Sequence, residues 1–258
     1  MIHELAWVDR KSKIGKNVEV GPFTTVYGDV EIGEGTWIGP NVTIMDGARI
    51  GRNCRIFPGS VISAIPQDLK FKGEYSKAIV GDNTTIRECV TINRGTADRE
   101  KTEVGDNCLL MAYVHLAHDV QVGNNCIIAN AVNVAGHCII EDFVILEGLV
   151  AMQQFTRVGA HAFIAGGTLV RVNVPPYVKA AREPISFVGV NTVGLKRRGF
   201  KDPQIRIIED IYRIIYVHNN NITKALDIVD KEIASCIEKS EILEFFKASE
   251  NGIMRGIS

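Results

Sequence analysis

Along most of this chain an apolar residue returns at every sixth position. The anchors run from Ile14 through Val20, Val26, Ile32, Ile38, Ile44, Ile50 and Ile56 to Ile62. They resume at Val80, Ile86 and Ile92, then run from Val104 through Leu110, Leu116, Val122, Ile128, Val134, Ile140, Leu146, Met152, Val158 and Ile164 to Val170. Many are followed by glycine, as in Ile14-Gly15, Ile32-Gly33 and Val122-Gly123. A period of six fits neither a helix nor an alternating strand. It fits a solenoid in which short strands and tight turns stack into a parallel β-helix. Three hexads make a triangular coil of 18 residues, so the 24 anchors give eight coils, with Ile2 and Val8 in phase ahead of them. With stacked strands about 4.8 Å apart, the prism is about 40 Å long. Residues 18 apart then stand in vertical columns, and chemistry can be read from spacing.

Two polar, charged stretches interrupt the hexads near residues 63–79 and 93–103, and the pattern resumes in phase after each. They are expected as loops projecting from an intact prism, the usual place for function on a rigid solenoid. After Pro175-Pro176 the hexad vanishes. Asp202-Pro203 reads as an N-cap followed by proline at the first helical position, and Ile205, Ile208, Ile211, Tyr212 and Ile215 follow with helical spacing. Further helices are expected from about Thr223 to Cys236 and about Ser240 to Ser249. The division is therefore a β-helix over 1–190 and a helical domain over 191–258 that caps one end of the prism.

The 258 residues suffice for one large domain and a small one, and their formal charge of -1 argues against a nucleic-acid binder that relies on phosphate contacts. A basic cluster, Lys196-Arg197-Arg198, stands out locally. The polar start lacks the apolar core of a signal peptide, and no apolar run approaches the ~18 residues that span a bilayer. The six cysteines show no metal-ligand or CxxC spacing. Cys54, Cys108, Cys126 and Cys138 each fall four positions after an anchor, where a small inward residue is expected. They read as reduced core residues of a cytoplasmic protein.

Side chains two positions after an anchor should point outwards. His118, Gly136 and Gln154 all hold that position and are 18 apart, so they share a column; Asp119 and His137 form a second beside it, and His115 precedes by a short turn. This set suits acyl transfer to a hydroxyl. A neutral imidazole accepts the hydroxyl proton near neutral pH, Asp119 favours the imidazolium as it forms, and the unshielded Gly136 N–H donates to a tetrahedral oxyanion. Two other readings stay open at this point. His115, His118 and His137 could hold zinc, as in a β-helix enzyme of carbonic-anhydrase type. A histidine beside an aspartate is also ordinary on a surface, and the chain could be a non-catalytic solenoid that binds carrier proteins. Gly148 and Gly166 form a further column, 18 apart, on a different face. A line of missing side chains makes a groove suited to a chain-like ligand; the alternative reading is that each glycine simply eases a turn.

Several blocks carry a resemblance: Gln67-Asp68-Leu69-Lys70, Thr91-Ile92-Asn93-Arg94-Gly95-Thr96, His115-Leu116-Ala117-His118-Asp119, Ala135-Gly136-His137, Val174-Pro175-Pro176-Tyr177, Gly189-Val190-Asn191 and Gly194-Leu195-Lys196-Arg197-Arg198-Gly199-Phe200. Together they resemble the acyl-carrier-protein–UDP-N-acetylglucosamine O-acyltransferase family of lipid A biosynthesis, over essentially the whole chain. The resemblance implies a left-handed β-helix, against the usual right-handed crossover rule, and a homotrimer with active sites in clefts between subunits. It implies transfer of an (R)-3-hydroxyacyl group from acyl carrier protein to the 3-hydroxyl of UDP-N-acetylglucosamine. No cofactor or metal is implied, the donor being carried on the carrier protein's phosphopantetheine. Residue by residue, it makes His118 the general base, Asp119 its orienting partner and Gly136 the oxyanion donor. Asp68, Lys70, His115, His137 and Gln154 then hold the sugar nucleotide or the acyl group. Asn191 and Arg198 contact the nucleotide, Arg197 suits the phosphopantetheine phosphate and the acidic carrier protein, and Gly166 matches the position whose side chain limits acyl length, glycine there being compatible with a long chain. Gln153, Asn93, Val193 and the segment 181–187 depart from the commonest form. None touches His118, Asp119 or Gly136, so these departures bear on chain-length preference and nucleotide contacts rather than on the chemistry.

Overall fold

The computed structural model describes residues 1–218, 221–249 and 252–256. Strands mostly two residues long stack into three sheets of nine, eight and ten strands, in which each strand pairs in parallel with the one a full coil away, except that Ser186–Val190 closes the ten-stranded sheet antiparallel to Val178–Ala181. The register is that of the anchors: Leu116 faces Val134, which faces Met152; Val122 faces Ile140; Ile128 faces Leu146. From Val20 to Val170 every anchor is buried, and the residue before it points outwards. Burying one such side chain is worth about 1.5–3 kcal/mol, so the column of anchors is the main cohesive term.

Most corners are turned by a residue of positive φ, three positions after an anchor, such as Asp119 at 60°, Asn125 at 57°, His137 at 62°, Phe143 at 61°, Phe155 at 64° and His161 at 61°. The residue after it points inwards and is small or β-branched. Its polar atom, where present, satisfies a corner carbonyl: Thr24 Oγ1 donates to the Gly39 carbonyl at 2.7 Å, and Cys108 Sγ to the Gly123 carbonyl at 3.1 Å. The four inward cysteines are buried and all six are free. Burial pushes the Cys54 and Cys138 thiols up, so they are inert packing groups.

The two interruptions leave the prism at the same corner, between the nine-stranded and eight-stranded sheets. Their roots remain paired, because strands extend to Ala64 and Asn93 and begin again at Lys77 and Lys101; only 65–76 and 94–100 lie outside strands. Ile62 still pairs with Ile92 and Ile92 with Leu116, so the coils above and below stack without a gap.

Four helices follow: α1 (Thr192–Arg197), α2 (Asp202–Arg213), α3 (Ile222–Glu232) and α4 (Ile237–Lys247). The apolar face of α2 and the turn after it, Ile205, Ile208, Ile211, Tyr212 and Ile215, is wholly buried. Tyr212 donates to the Pro176 carbonyl at 2.6 Å, and Phe187 stacks on Tyr212 and Tyr216, so this face closes the C-terminal end of the prism. The helix bounds differ from the sequence expectation for identifiable reasons. Lys201, not Asp202, is the N-cap of α2, its N–H donating to Gln204 Oε1 at 3.0 Å, while Asp202 pairs with Lys196. Helix α3 stops at Glu232 because the Lys239 ammonium takes the carbonyls of Asp230 and Ile233, and α4 starts early on a Cys236 cap. Helix α1 was not expected from the spacing. Among the described residues no helix is long and apolar enough to cross a membrane.

Candidate active site

The two candidate columns stand at the corner from which both insertions emerge. His118 Nδ1 lies 2.8 Å from Asp119 Oδ2. Asp119 has no exposed surface, and its carboxylate also accepts the Thr96 N–H at 3.0 Å, the Thr96 hydroxyl at 2.7 Å and the Arg99 N–H at 3.3 Å. Burial alone would raise the Asp119 carboxyl, but the bonds from Thr96 and His118 outweigh it and hold the group below the usual carboxylate range. An ionised Asp119 only accepts. The proton between the two side chains therefore belongs to His118 Nδ1, which leaves Nε2 free as a base.

The spacing predicts outward side chains and an unshielded glycine N–H at this corner. His118 is only 6% exposed, with His137 packed against it, and Gly136 is buried beneath the imidazole. A Cβ on Gly136 would stand 2.6 Å from His118 Cε1 and 2.7 Å from Nε2. The glycine is thus the space in which the ring lies. Its N–H has no hydrogen-bond partner among the described residues, while its carbonyl accepts the Phe155 N–H.

His137 packs edge-on to His118 with ring centres 5.0 Å apart and stacks on Phe155 at 4.6 Å. Its Nδ1 lies 3.1 Å from Asp98, close enough for an ion pair but not aligned as a hydrogen bond, and its Nε2 lies 3.8 Å from Asp119. Gln154 is exposed at the end of the column. His115 stands apart on the outer face of the nine-stranded sheet, where Nδ1 bonds Thr91 Oγ1 at 2.7 Å and burial lowers its pKa. The three-imidazole set does not assemble: the group whose donor atoms lie within 4.8 Å of one another is His118, Asp119 and His137.

Asp68 and Lys70 lie on the 65–76 insertion in an Asx turn, the Lys70 N–H donating to Asp68 Oδ1 at 2.9 Å. The Ala97 N–H reaches Glu74, tying the two insertions together around a hollow of about 770 Å³ lined by Leu69, Lys70, Lys72, Gly73, Glu74 and Ala97.

The remaining expected residues occupy the other two corners. Gly148 and Gly166 stack at the corner between the ten- and nine-stranded sheets, where the Glu147 carboxylate accepts the Gly166 N–H at 3.1 Å. Asn191 and Arg198 sit near the third corner. Asn191 is buried, caps α1 through Gly194 and donates to the His161 carbonyl at 2.9 Å, so its side chain is engaged inside this chain. Arg198 lies over Phe143 and 3.4 Å from His161 Nδ1, and Arg197 is exposed. Burial and the Arg198 charge push His161 down to about 4, so it is neutral and accepts from the guanidinium. Sequence reasoning missed Thr96, Asp98, Arg99 and His161. The available signals were the Gly95-Thr96 pair inside an insertion and the 18-residue step from Phe143 to His161.

Known proteins agree with this architecture. A family model described as UDP N-acetylglucosamine O-acyltransferase, domain 2, matches residues 173–254, and the bacterial transferase hexapeptide model of six repeats matches 29–64 and 101–136. The acyl-[acyl-carrier-protein]–UDP-N-acetylglucosamine O-acyltransferase of Herminiimonas arsenicoxydans is 44% identical over 99% of both chains. That of Aliivibrio salmonicida is 47% identical over 98% of this chain and 97% of its own. Among solved structures, the UDP-N-acetylglucosamine acyltransferase of Bacteroides fragilis is 48% identical with a TM-score of 0.97, covering 99% of this chain and all of its own. The Arabidopsis enzyme, at 31% identity and a TM-score of 0.85, covers 100% of this chain and 99% of its own. The solenoid is thus a left-handed parallel β-helix followed by a helical region. The chain belongs to the acyl-[acyl-carrier-protein]–UDP-N-acetylglucosamine O-acyltransferase family and is an acyltransferase.

Proposed function

We propose that this chain transfers an (R)-3-hydroxyacyl group from acyl carrier protein to the 3-hydroxyl of UDP-N-acetylglucosamine, the first step of lipid A biosynthesis, by general-base catalysis. The observation that supports the reading most is the buried His118–Asp119 pair, with Nε2 directed over Gly136. His118 Nε2 takes the proton of the sugar hydroxyl as its oxygen attacks the thioester carbonyl. The Gly136 N–H donates to the resulting oxyanion. Collapse expels the phosphopantetheine thiolate, which recovers the proton from the imidazolium, and an O-acyl sugar nucleotide remains. No covalent enzyme intermediate and no cofactor are needed.

The other residues are assigned around this centre. Asp68, Lys70, His115, His137 and Gln154 flank the acceptor and the thioester. Gly148 and Gly166 line the acyl groove, Asn191 and Arg198 form the nucleotide corner, and Arg197 meets the phosphopantetheine phosphate and the acidic carrier protein. Because these residues occupy three corners of one prism, a complete site needs corners from neighbouring copies. A cytoplasmic homotrimer with the site between subunits meets that need.

The test is turnover of UDP-N-acetylglucosamine with 3-hydroxyacyl carrier proteins of graded chain length, which should be discriminated because each buried methylene is worth about 0.8 kcal/mol. Product linkage is read by mass spectrometry. The expected product is the 3-O-acyl sugar nucleotide, reduced by roughly 10²–10⁴-fold in a folded His118→Ala protein. An equally active His118→Ala enzyme removes His118 as the base. Absence of transfer from every donor removes the reaction itself.

A further inference from the structure

We infer that Thr96, through its hydroxyl, is a positioning residue for the general base: it fixes the Asp119 carboxylate and thereby the orientation and tautomer of His118. The inference rests on the role of His118 proposed above and extends it to the 94–100 insertion.

The insertion is built to deliver this hydroxyl. Gly95 is pinned against the eight-stranded sheet, its N–H donating to the Lys77 carbonyl at 3.1 Å and its carbonyl accepting from Ser76 Oγ at 2.6 Å. A Cβ there would stand 2.2 Å from the Lys101 nitrogen, so only glycine allows the approach. The next residue, Thr96, is then held directly over Asp119 and is itself buried. Its carbonyl accepts the Glu100 N–H at 2.8 Å, closing the loop into one turn. Its hydroxyl accepts the Asp98 N–H at 3.3 Å and donates to Asp119 Oδ2 at 2.7 Å.

The result is a directed chain. The Asp98 N–H donates to the Thr96 oxygen, and the Thr96 O–H donates to Asp119 Oδ2, the same oxygen that receives His118 Nδ1–H. Asp119 Oδ1 is fixed separately by the Thr96 and Arg99 N–H groups. The backbone around it is fixed too. The Asp119 N–H donates to Thr102 Oγ1 at 2.9 Å, and the Arg99 guanidinium donates to the Asp119 carbonyl at 3.1 Å. An aspartate in a positive-φ corner, with no exposed surface, has been given donors at both oxygens. A carboxylate pinned in this way cannot rotate away from the imidazole. The charged and titratable groups facing it are His118, His137 and Arg99, with Asp98 behind His137.

The experiment compares the full-length wild type, Thr96→Val, Thr96→Ser and Asp119→Asn. Valine keeps the shape and the backbone N–H but removes the hydroxyl. A hydrogen bond to a charged group is worth enough that kcat should fall roughly tenfold to a hundredfold, with KM for UDP-N-acetylglucosamine unchanged. The acid limb of kcat against pH should move to higher pH, because a carboxylate with one donor fewer holds a proton more tightly. Thr96→Ser should restore both. Within the Asp119→Asn background the valine substitution should cost little more, since its effect runs through the missing carboxylate.

A readout independent of turnover is the 15N spectrum of the His118 ring. Wild type should show the neutral ring protonated at Nδ1, and Thr96→Val a mixture of tautomers. A Thr96→Val protein with wild-type kcat, pH profile and tautomer overturns the inference. A purely structural loss would lower thermal stability and raise KM while leaving the tautomer intact, and that outcome overturns it as well. If wild type transfers no acyl group yet the tautomer shifts as expected, the proposed reaction fails while the positioning role of Thr96 stands.

Discussion

At the scale of the residue, the site depends on one glycine being a space rather than a hinge. Gly136 is not among the residues of positive φ, so an alanine there meets no backbone obstacle. What it meets is the His118 imidazole, 2.6 Å from the new carbon. A base displaced by about 1 Å costs on the order of a hundredfold in rate. Gly136→Ala should therefore fold and melt like the wild type while losing roughly that factor in kcat; wild-type kcat in this variant would show that the ring position does not matter. The His118–Gly136 pair was legible as a column because both hold the same place in the hexad, 18 residues apart. That Cε1 and Nε2 of the ring lie over the glycine was not legible. Spacing gives the column but not the rotamer, and the rotamer is set by Asp119 and by an insertion that carries no hexad at all.

At the scale of the element, the hexad predicted nearly every strand, because one inward residue per strand leaves little freedom of register. The helices were harder. The apolar face from Ile205 to Ile215 was plain, but the end of α3 depends on Lys239 reaching back to the Asp230 and Ile233 carbonyls, a contact between two helices that no local pattern contains. Asn191 illustrates the limit in the other direction. The family resemblance makes it a nucleotide contact, whereas its amide is spent within this chain on the α1 cap and the His161 carbonyl. The Gly148–Gly166 column is the proposed acyl groove. A Cβ on Gly166 would come within 3.1 Å of the Gly148 carbonyl and 3.9 Å of Glu147 Oε2, so a longer side chain must project along the groove. In competition among donors, Gly166→Met should shift the preferred acyl group several carbons shorter. An unchanged preference would place the acyl chain elsewhere.

At the scale of the molecule, the prism works as a ruler whose three corners carry three different side-chain sets: the His118–Asp119 pair, the Gly148–Gly166 column, and the Arg198–His161 corner beside α1. A rigid solenoid cannot fold these corners onto one another. Sequence spacing could assign each residue to its corner, but which corners face each other is a property of association and leaves no periodic trace in one chain. In the proposed assembly, His118 of one copy works with the nucleotide corner of its neighbour.

The most direct measurement is complementation between His118→Ala and Arg198→Ala subunits, each nearly inactive alone at limiting UDP-N-acetylglucosamine, co-expressed and purified as mixed oligomers. If each site draws these two residues from different copies, random mixing in a closed ring leaves roughly a quarter of the sites intact, and activity should return to about that level. If both residues of a site come from the same copy, no mixed oligomer contains an intact site. Activity that stays at the level of the single variants would contradict the account.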